Sequence, residues 1–294
     1  MESGKGRQII MEEMKISAEE RTRSRHARYY CREIRDLRGE ADALLNMGFA
    51  HATIGDDRRG IELMKQALAI YCRIKEQSLE GTALNNVGQA LLNEGNIKAA
   101  IRAHRKSMRI ARRGGDLIGE GGALGNLGIA YARSGKISKA IRSFEQALEI
   151  HQEIGYPRRA GVALGNLGNA YRMLGDAGTT IEYLEKALEI AREIGDRDNE
   201  AMWLFNLGNT YNDLLVEEGK AIALYEQALV IYQEVGDRRG EGTTLGNMGN
   251  VLYHAGEKEN GIGMMDEALR IFDAIGSPQA ENARKLLWEW GVQE

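Results

Sequence analysis

The chain has only two cysteines, Cys31 and Cys72, and two prolines in 294 residues. Two thiols cannot build a disulfide framework, and they lack the spacing of a metal site. So few prolines beside 36 glycines exclude a Gly/Pro linker composition, although glycine stands well above its usual share of roughly 7%. No stretch approaches the roughly 18 apolar residues that mark a membrane helix. The N-terminus lacks the apolar core of a secretion signal, so the expectation is a soluble protein of the cytoplasm. Aromatics are sparse at 6%. A formal net charge of −4 and a pI near 5.9 argue against a general binder of nucleic acid or anionic membrane, which should be basic overall.

Catalytic patterns are missing as well. Ser3-Gly4-Lys5-Gly6 has neither the preceding glycine nor the flanking strand and helix of a phosphate loop. The glycine-rich string 119–128 fails the dinucleotide-binding register. The histidines His26, His51, His104, His151 and His254 are scattered without paired metal spacing or an evident Asp or Ser partner. No catalytic residue, metal or cofactor is therefore expected.

What the chain does have is a period. Asn46, Asn86, Asn126, Asn166, Asn206 and Asn247 follow one another at intervals of 40, 40, 40, 40 and 41 residues. Each is followed two residues later by glycine, from Gly48 to Gly249. A repeat of this length means stacked supersecondary units with a shared core. The third repeat is the clearest. Ala123, Leu124, Leu127, Ala130 and Tyr131 lie on one helical face, with Asp116 placed to cap the start and Gly135 to end the helix in a left-handed turn. Ser138 suits the cap of a second helix, whose apolar positions are Ile141, Phe144, Ala147, Leu148, Ile150 and Ile154. Gly155 closes it, as Gly195, Gly236 and Gly276 do later. Two antiparallel helices with a short joint form a hairpin. Gly128 and its equivalents are read as sites of tight helix packing.

Leu127-Gly128-x-x-Tyr131, followed by Ala140-x-x-x-Phe144 and Ala147, resembles the tetratricopeptide repeat (TPR) signature in residue type and spacing. Leu167-Gly168-x-x-Tyr171 with Ala187, and Leu207-Gly208-x-x-Tyr211 with Ala228, repeat it. These repeats exceed the usual TPR length of about 34 residues and lack its closing proline. In this they look like the long-helix TPRs of Pins/LGN adaptors, kinesin light chains and bacterial STAND regulators. The resemblance covers about residues 36–276 and implies an all-α, right-handed superhelical solenoid of stacked hairpins. It also implies that first helices line a concave groove.

Six repeats are read at 37–76, 77–116, 117–156, 157–196, 197–237 and 238–277, one solenoid over 36–277. The extra residue of the fifth is placed in its inter-helix loop, at Leu215–Gly219. Residues 1–35 are read as a tail and a capping half-repeat, and 278–294 as a capping helix whose Trp288 and Trp290 cover the open end. Cys31 and Cys72, at nearly equivalent points of neighbouring layers, are expected as reduced thiols. Arg21, Arg25, Arg28, Arg32 and Arg35 form a basic stripe on the first cap, read chiefly as a solvated face.

In the groove that the resemblance implies, Asn126, Asn166, Asn206 and Asn247 form one row, and Asn169, Asn209 and Asn250 a second, three residues on. A carboxamide both donates and accepts, so such rows suit the backbone of an extended peptide; the competing role is to bridge neighbouring hairpins. Gly125, Gly165 and Gly246 would form a groove floor without side chains, or else mark tight packing. Arg133 and Arg172, with Asn212 nearby, would clamp ligand carboxylates or else stand as solvated surface arginines. The lysines of chaperone-binding TPRs are absent, their places taken by Asp42, Leu45, Thr82, Asn85, Gly122 and Gly125. The expected function is a non-enzymatic scaffold for a peptide or protein partner, with no role for nucleic acid or membrane. The alternatives are a sensory module that controls a separate effector, and a structural protein that self-associates through its ends.

Overall fold

A computed structural model describes residues 22–25, 28–29 and 36–292. Among them there is helix and turn but no strand. Thirteen α-helices run from Leu37 to Glu289, twelve of them as six hairpins. The first three pairs are α1 (Leu37–Thr53) with α2 (Asp57–Ile74), α3 (Gln77–Asn93) with α4 (Ile97–Gly114), and α5 (Leu117–Arg133) with α6 (Ile137–Glu153). The next three are α7 (Pro157–Arg172) with α8 (Ala177–Glu193), α9 (Arg197–Thr210) with α10 (Glu218–Val235), and α11 (Arg238–His254) with α12 (Lys258–Ala274). The single helix α13 (Gln279–Glu289) follows. The chain divides between Tyr156 and Pro157 into two compact units, each containing three hairpins, and α13 belongs to the second. The tail, Cys31 and most of the arginine stripe lie outside the described residues; Arg28 pairs with Glu40 at 3.4 Å. Cys72 is a free thiol.

Helix boundaries follow from local chemistry. Asp116 Oδ1 accepts from the Gly119 amide at 2.8 Å, satisfying one of the donors left open at a helix start. Asp36, Asp56, Asn96, Asp176, Asp196 and Asp237 do the same for their own helices. Gly135 takes φ +73° just past α5, and Gly155, Gly195, Gly236 and Gly276 likewise have positive φ. Ser138 is not a cap. α6 begins at Ile137 after Lys136, which offers no side-chain cap, and this places Ser138 inside the first turn. The extra residue of the fifth repeat also differs from expectation. It is absorbed at the end of α9 as a π-helical turn, Tyr211–Leu215, closed by Val216 at φ 55°. A wider turn takes in one residue while the chain stays helical.

The core is built by one recurring contact. A Cβ placed on Gly88 would lie 2.6 Å from the His104 ring, and one on Gly208 2.6 Å from Tyr225. On Gly48 it would meet Met64 at 2.7 Å, on Gly168 Leu184 at 2.8 Å, and on Gly128 the Phe144 ring. In the first five hairpins a large side chain of the second helix thus rests on bare backbone of the first, and in the sixth Gly249 faces the backbone of Gly261. Ala41, Leu44, Leu63, Ala67, Tyr71 and Ala83 show how successive layers share one core. Neighbouring hairpins are also tied by carboxylates near the starts of the first helices. Glu120 receives Arg112 at 2.6 Å and Glu200 receives Arg192 at 3.0 Å. The same register holds Glu40, Glu80 and Glu241, while Ala160 interrupts it.

At the C-terminal end, Trp290 stacks on Tyr253 at 4.1 Å between centroids, and Leu287 is buried. Trp288 does not share in this cover: it is 73% exposed, because α13 turns it away from the face that Leu287 buries.

Two glycines one turn apart in α5 should respond oppositely to alanine. Gly125→Ala meets open space and should stabilise the protein by up to about 1 kcal/mol, the helix-propensity difference. Gly128→Ala drives a methyl into Phe144, and overpacking costs of about 1–3 kcal/mol should outweigh that gain. Urea unfolding of the two variants measures both; a stabilised Gly128→Ala would show that the ring contact is dispensable.

Candidate functional site

The asparagine rows are partly used within the protein. In the first unit, Asn126 Nδ2 donates to Asn85 Oδ1 at 3.1 Å, joining the third hairpin to the second. The same oxygen lies 2.9 Å from His104 Nδ1. Burial pulls the His104 imidazole down from its ordinary value to about 4, so it is neutral at pH 7, and facing an acceptor places its proton on Nδ1. In the second unit, Asn247 Nδ2 donates to Asn209 Oδ1 at 2.9 Å, and the Tyr225 hydroxyl donates to that oxygen at 2.8 Å. Burial, reinforced by Asp213, raises the Tyr225 hydroxyl far above its usual range, which keeps it a donor.

These bonds fix the carboxamides without exhausting them. Asn209 Nδ2 and Asn247 Oδ1 have no partner among the described residues. Asn166 and Asn206 make no side-chain hydrogen bond there, and Asn169 Oδ1 is buried and unpartnered. The arginines are more committed. Arg133 Nη1 donates to the Leu92 carbonyl at 3.2 Å. Arg172 Nη1 holds Asp213 at 3.0 Å, and Asn212 donates to the other oxygen of that carboxylate at 2.9 Å. Asp213 belongs to the π-helical turn, which brings it into the reach of Arg172.

The three floor glycines have different surroundings. Gly125 opens on empty space, and a Cβ on Gly246 would make only ordinary contacts, 3.8 Å from Ala268 and 4.0 Å from Met265. Gly165 is no open floor. The Trp203 indole of the following repeat occupies the place of its missing side chain and is 1% exposed.

One cavity brings two of the row asparagines, Asn247 and Asn250, together with other amides. A pocket of about 310 Å³ lies where α11 faces α13. Gly246, Asn247 and Asn250 line one wall and Gln279 and Asn282 the other, over Met265 and Phe272 of α12. No Asp, Glu, Lys or Arg lines it. The side chains of Asn250 and Asn282 have no hydrogen-bond partner among the described residues. Gln279 and Asn282 were missed in the sequence because they lie beyond the last full repeat. Nor does the period point to them, since forty residues beyond Asn247 and Asn250 stand Leu287 and Trp290.

A stack of helical hairpins with asparagine-lined first helices defines a solenoid of the protein-interaction class. The family model described as tetratricopeptide repeat matches residues 79–153 and 159–234, just over half of the sequence, and the chain belongs to that family. No curated protein matches it in sequence. Among solved structures it is similar to BtubC (BKLC) from P. vanneervenii, at 23% identity and TM-score 0.61, over 76% of this chain and 91% of that one. It is also similar to a STAND protein with a tetratricopeptide repeat sensor from Pyrococcus horikoshii, at 19% identity and TM-score 0.69. That match takes in 88% of this chain but only 39% of the other. A Rap protein complexed with Competence and Sporulation Factor aligns at 13% identity and TM-score 0.65, over 86% of this chain and 77% of that one. At these identities the likeness is one of fold.

His104 makes stability depend on pH. Its folded value of about 4 lies below the ordinary 6.5, so between the two the unfolded chain binds a proton that the folded chain refuses. Its contribution is complete above about pH 6.5 and is lost as pH falls toward 4, by up to about 3 kcal/mol. His104→Phe, which copies Phe144 over Gly128, should flatten that slope. Denaturant titrations at pH 4.5 and 7.5 would detect it, and an unchanged slope would assign the acid sensitivity to other groups.

Proposed function

We propose that this chain is a non-enzymatic binding module for a peptide or protein segment. The ligand seats on the first-helix asparagines of the second compact unit and is anchored in the pocket between α11 and α13. The observation that carries this reading is the lining of that pocket: carboxamides above an apolar floor, with no charged residue. Such a lining suits an apolar side chain flanked by backbone amides. Carboxamides pair with peptide N–H and C=O groups, and Met265 and Phe272 take up apolar surface. Asn209 and Asn247 support the reading because each offers its unspent group, a donor and an acceptor, in an orientation already fixed; fixed groups lose less entropy on binding. Asn166, Asn169 and Asn206 extend the row, and Asn126 is its counterpart in the first unit. Arg133 and Arg172 act as positioning residues, each holding a neighbouring hairpin. The Rap protein complexed with Competence and Sporulation Factor adds a precedent for a bound factor on a similar fold.

Phage display of random peptides against the intact chain provides the test. Selected peptides should share an uncharged apolar residue. Asn250→Ala should weaken them by about 0.5–1.5 kcal/mol, the net value of one hydrogen bond. Gly246→Leu, which fills the pocket, should abolish binding while thermal stability is retained. Peptides that bind both variants as tightly as the natural chain would place the site elsewhere.

A further inference from the structure

Helix α4 is chemically unlike the other second helices. Between Ile97 and Gly114 it has Lys98, Arg102, Arg105, Lys106, Arg109, Arg112 and Arg113, and no acidic residue. Lys98, Arg102, Arg105 and Arg109 are spaced by four, three and four residues, so they share one face. Lys139 and Arg142 on α6 look across at that face. Between the two helices, with α5 beneath, lies a groove of about 540 Å³. Arg105, Arg109, Lys139 and Arg142 line it, together with Tyr131 and Ser143, and no carboxylate does.

These four cations are exposed, and none has a carboxylate partner among the described residues. Arg112, Arg158, Arg192, Arg197 and Arg238, by contrast, each hold one. Arg105 instead donates through Nε to the Tyr131 hydroxyl at 2.9 Å, with its guanidinium 5.6 Å from that ring's centroid. Arg109 reaches only the Arg105 carbonyl, at 3.4 Å. Four like charges around one groove repel each other, and an anion seated among them removes that cost.

We propose that this groove binds an extended acidic peptide segment through its carboxylates. Arg105 and Arg109 are four residues apart, a rise of about 6 Å along a helix, and alternate residues of an extended strand are about 6.6 Å apart. A segment with acidic side chains at every second position therefore meets both arginines in step. Lys139 and Arg142 close on it from the other side. Nucleic acid is disfavoured: single strands need exposed rings to stack on, and the only aromatic in the lining, Tyr131, is 6% exposed and covered by Arg105. This site lies within the first compact unit and involves no residue of the amide pocket.

The test uses the intact chain and three fluorescein-labelled probes: a (Glu-Ala)5 peptide, its (Gln-Ala)5 counterpart, and a ten-nucleotide oligo-uridine. The Glu peptide should bind at least tenfold more tightly than the Gln peptide at low salt, and lose at least tenfold on moving to high salt. Arg109→Glu/Arg142→Glu should abolish that binding and Arg109→Gln/Arg142→Gln should reduce it; both should keep the helical circular dichroism signal, since these side chains are exposed. Gly246→Leu should leave it unchanged, which separates this site from the peptide pocket. Equal binding of the Glu and Gln peptides, full binding by either double variant, loss on Gly246→Leu, or tighter binding of the oligonucleotide would each overturn the proposal.

Discussion

Each hairpin rests on a place where the first helix has no side chain. Because Gly88, Gly128, Gly168 and Gly208 lack a Cβ, His104, Phe144, Leu184 and Tyr225 can lie directly on the backbone. The two helices close to a distance that a methyl group would forbid, and burying those side chains offsets the propensity lost to glycine. The occupant varies from aliphatic to aromatic to imidazole, so the glycine, and not the residue it receives, is the fixed half of the contact. Where the occupant has a polar tip, the same contact reaches further. His104 extends over Gly88 to Asn85, and Tyr225 over Gly208 to Asn209, and in each case the next hairpin supplies a second donor, Asn126 or Asn247. A packing constraint thus ends by orienting the carboxamides of the candidate site.

Period and chemistry were legible where one residue decides one local conformation. Asp116 caps and Gly135 turns as their positions imply, because each acts within a few residues of itself. Ser138 misleads for a related reason: a residue suited to capping is not a cap when the helix has already started at Ile137. The fifth repeat shows a different limit. One extra residue can enter a loop or widen a helical turn, and the choice depends on contacts such as Arg172 with Asp213 that bridge 41 positions. The floor glycines show this most directly. Gly125, Gly165 and Gly246 occupy the same register, yet only Gly165 lies under an indole, because Trp203 stands in the repeat that follows it. Its environment is set by a neighbour 38 residues away.

Charge was the least legible property, because a sum conceals its distribution. The chain is acidic overall, and several arginines are neutralised by the carboxylates near the first-helix starts, with Glu120 and Glu200 as the clearest pairs. That ladder of Glu was visible at the same period as the asparagines, and Ala160 marks its one break. Helix α4 departs from the balance. A net charge near zero limits what the whole surface attracts at long range, but within a Debye length of about 10 Å an anion meets only the local field.

The two surfaces differ in the work they ask of a ligand. The pocket between α11 and α13 offers no charge, so selectivity there depends on shape and on satisfying its amides; a ligand that leaves Asn250 or Asn282 unpaired once water is excluded forfeits part of its gain. The groove between α4 and α6 offers charge in an open setting, where attraction acts early, speeds encounter and weakens with salt. Each surface is complete within one compact unit, so each can be filled independently of the other. A single partner with an acidic stretch and a separate apolar residue could use both, and joining two modest contacts by a linker that spans them raises avidity without any new interaction. The repeat architecture makes this arrangement accessible: the glycine contacts keep every hairpin alike, while single helices such as α4 can change their outward chemistry without disturbing the core.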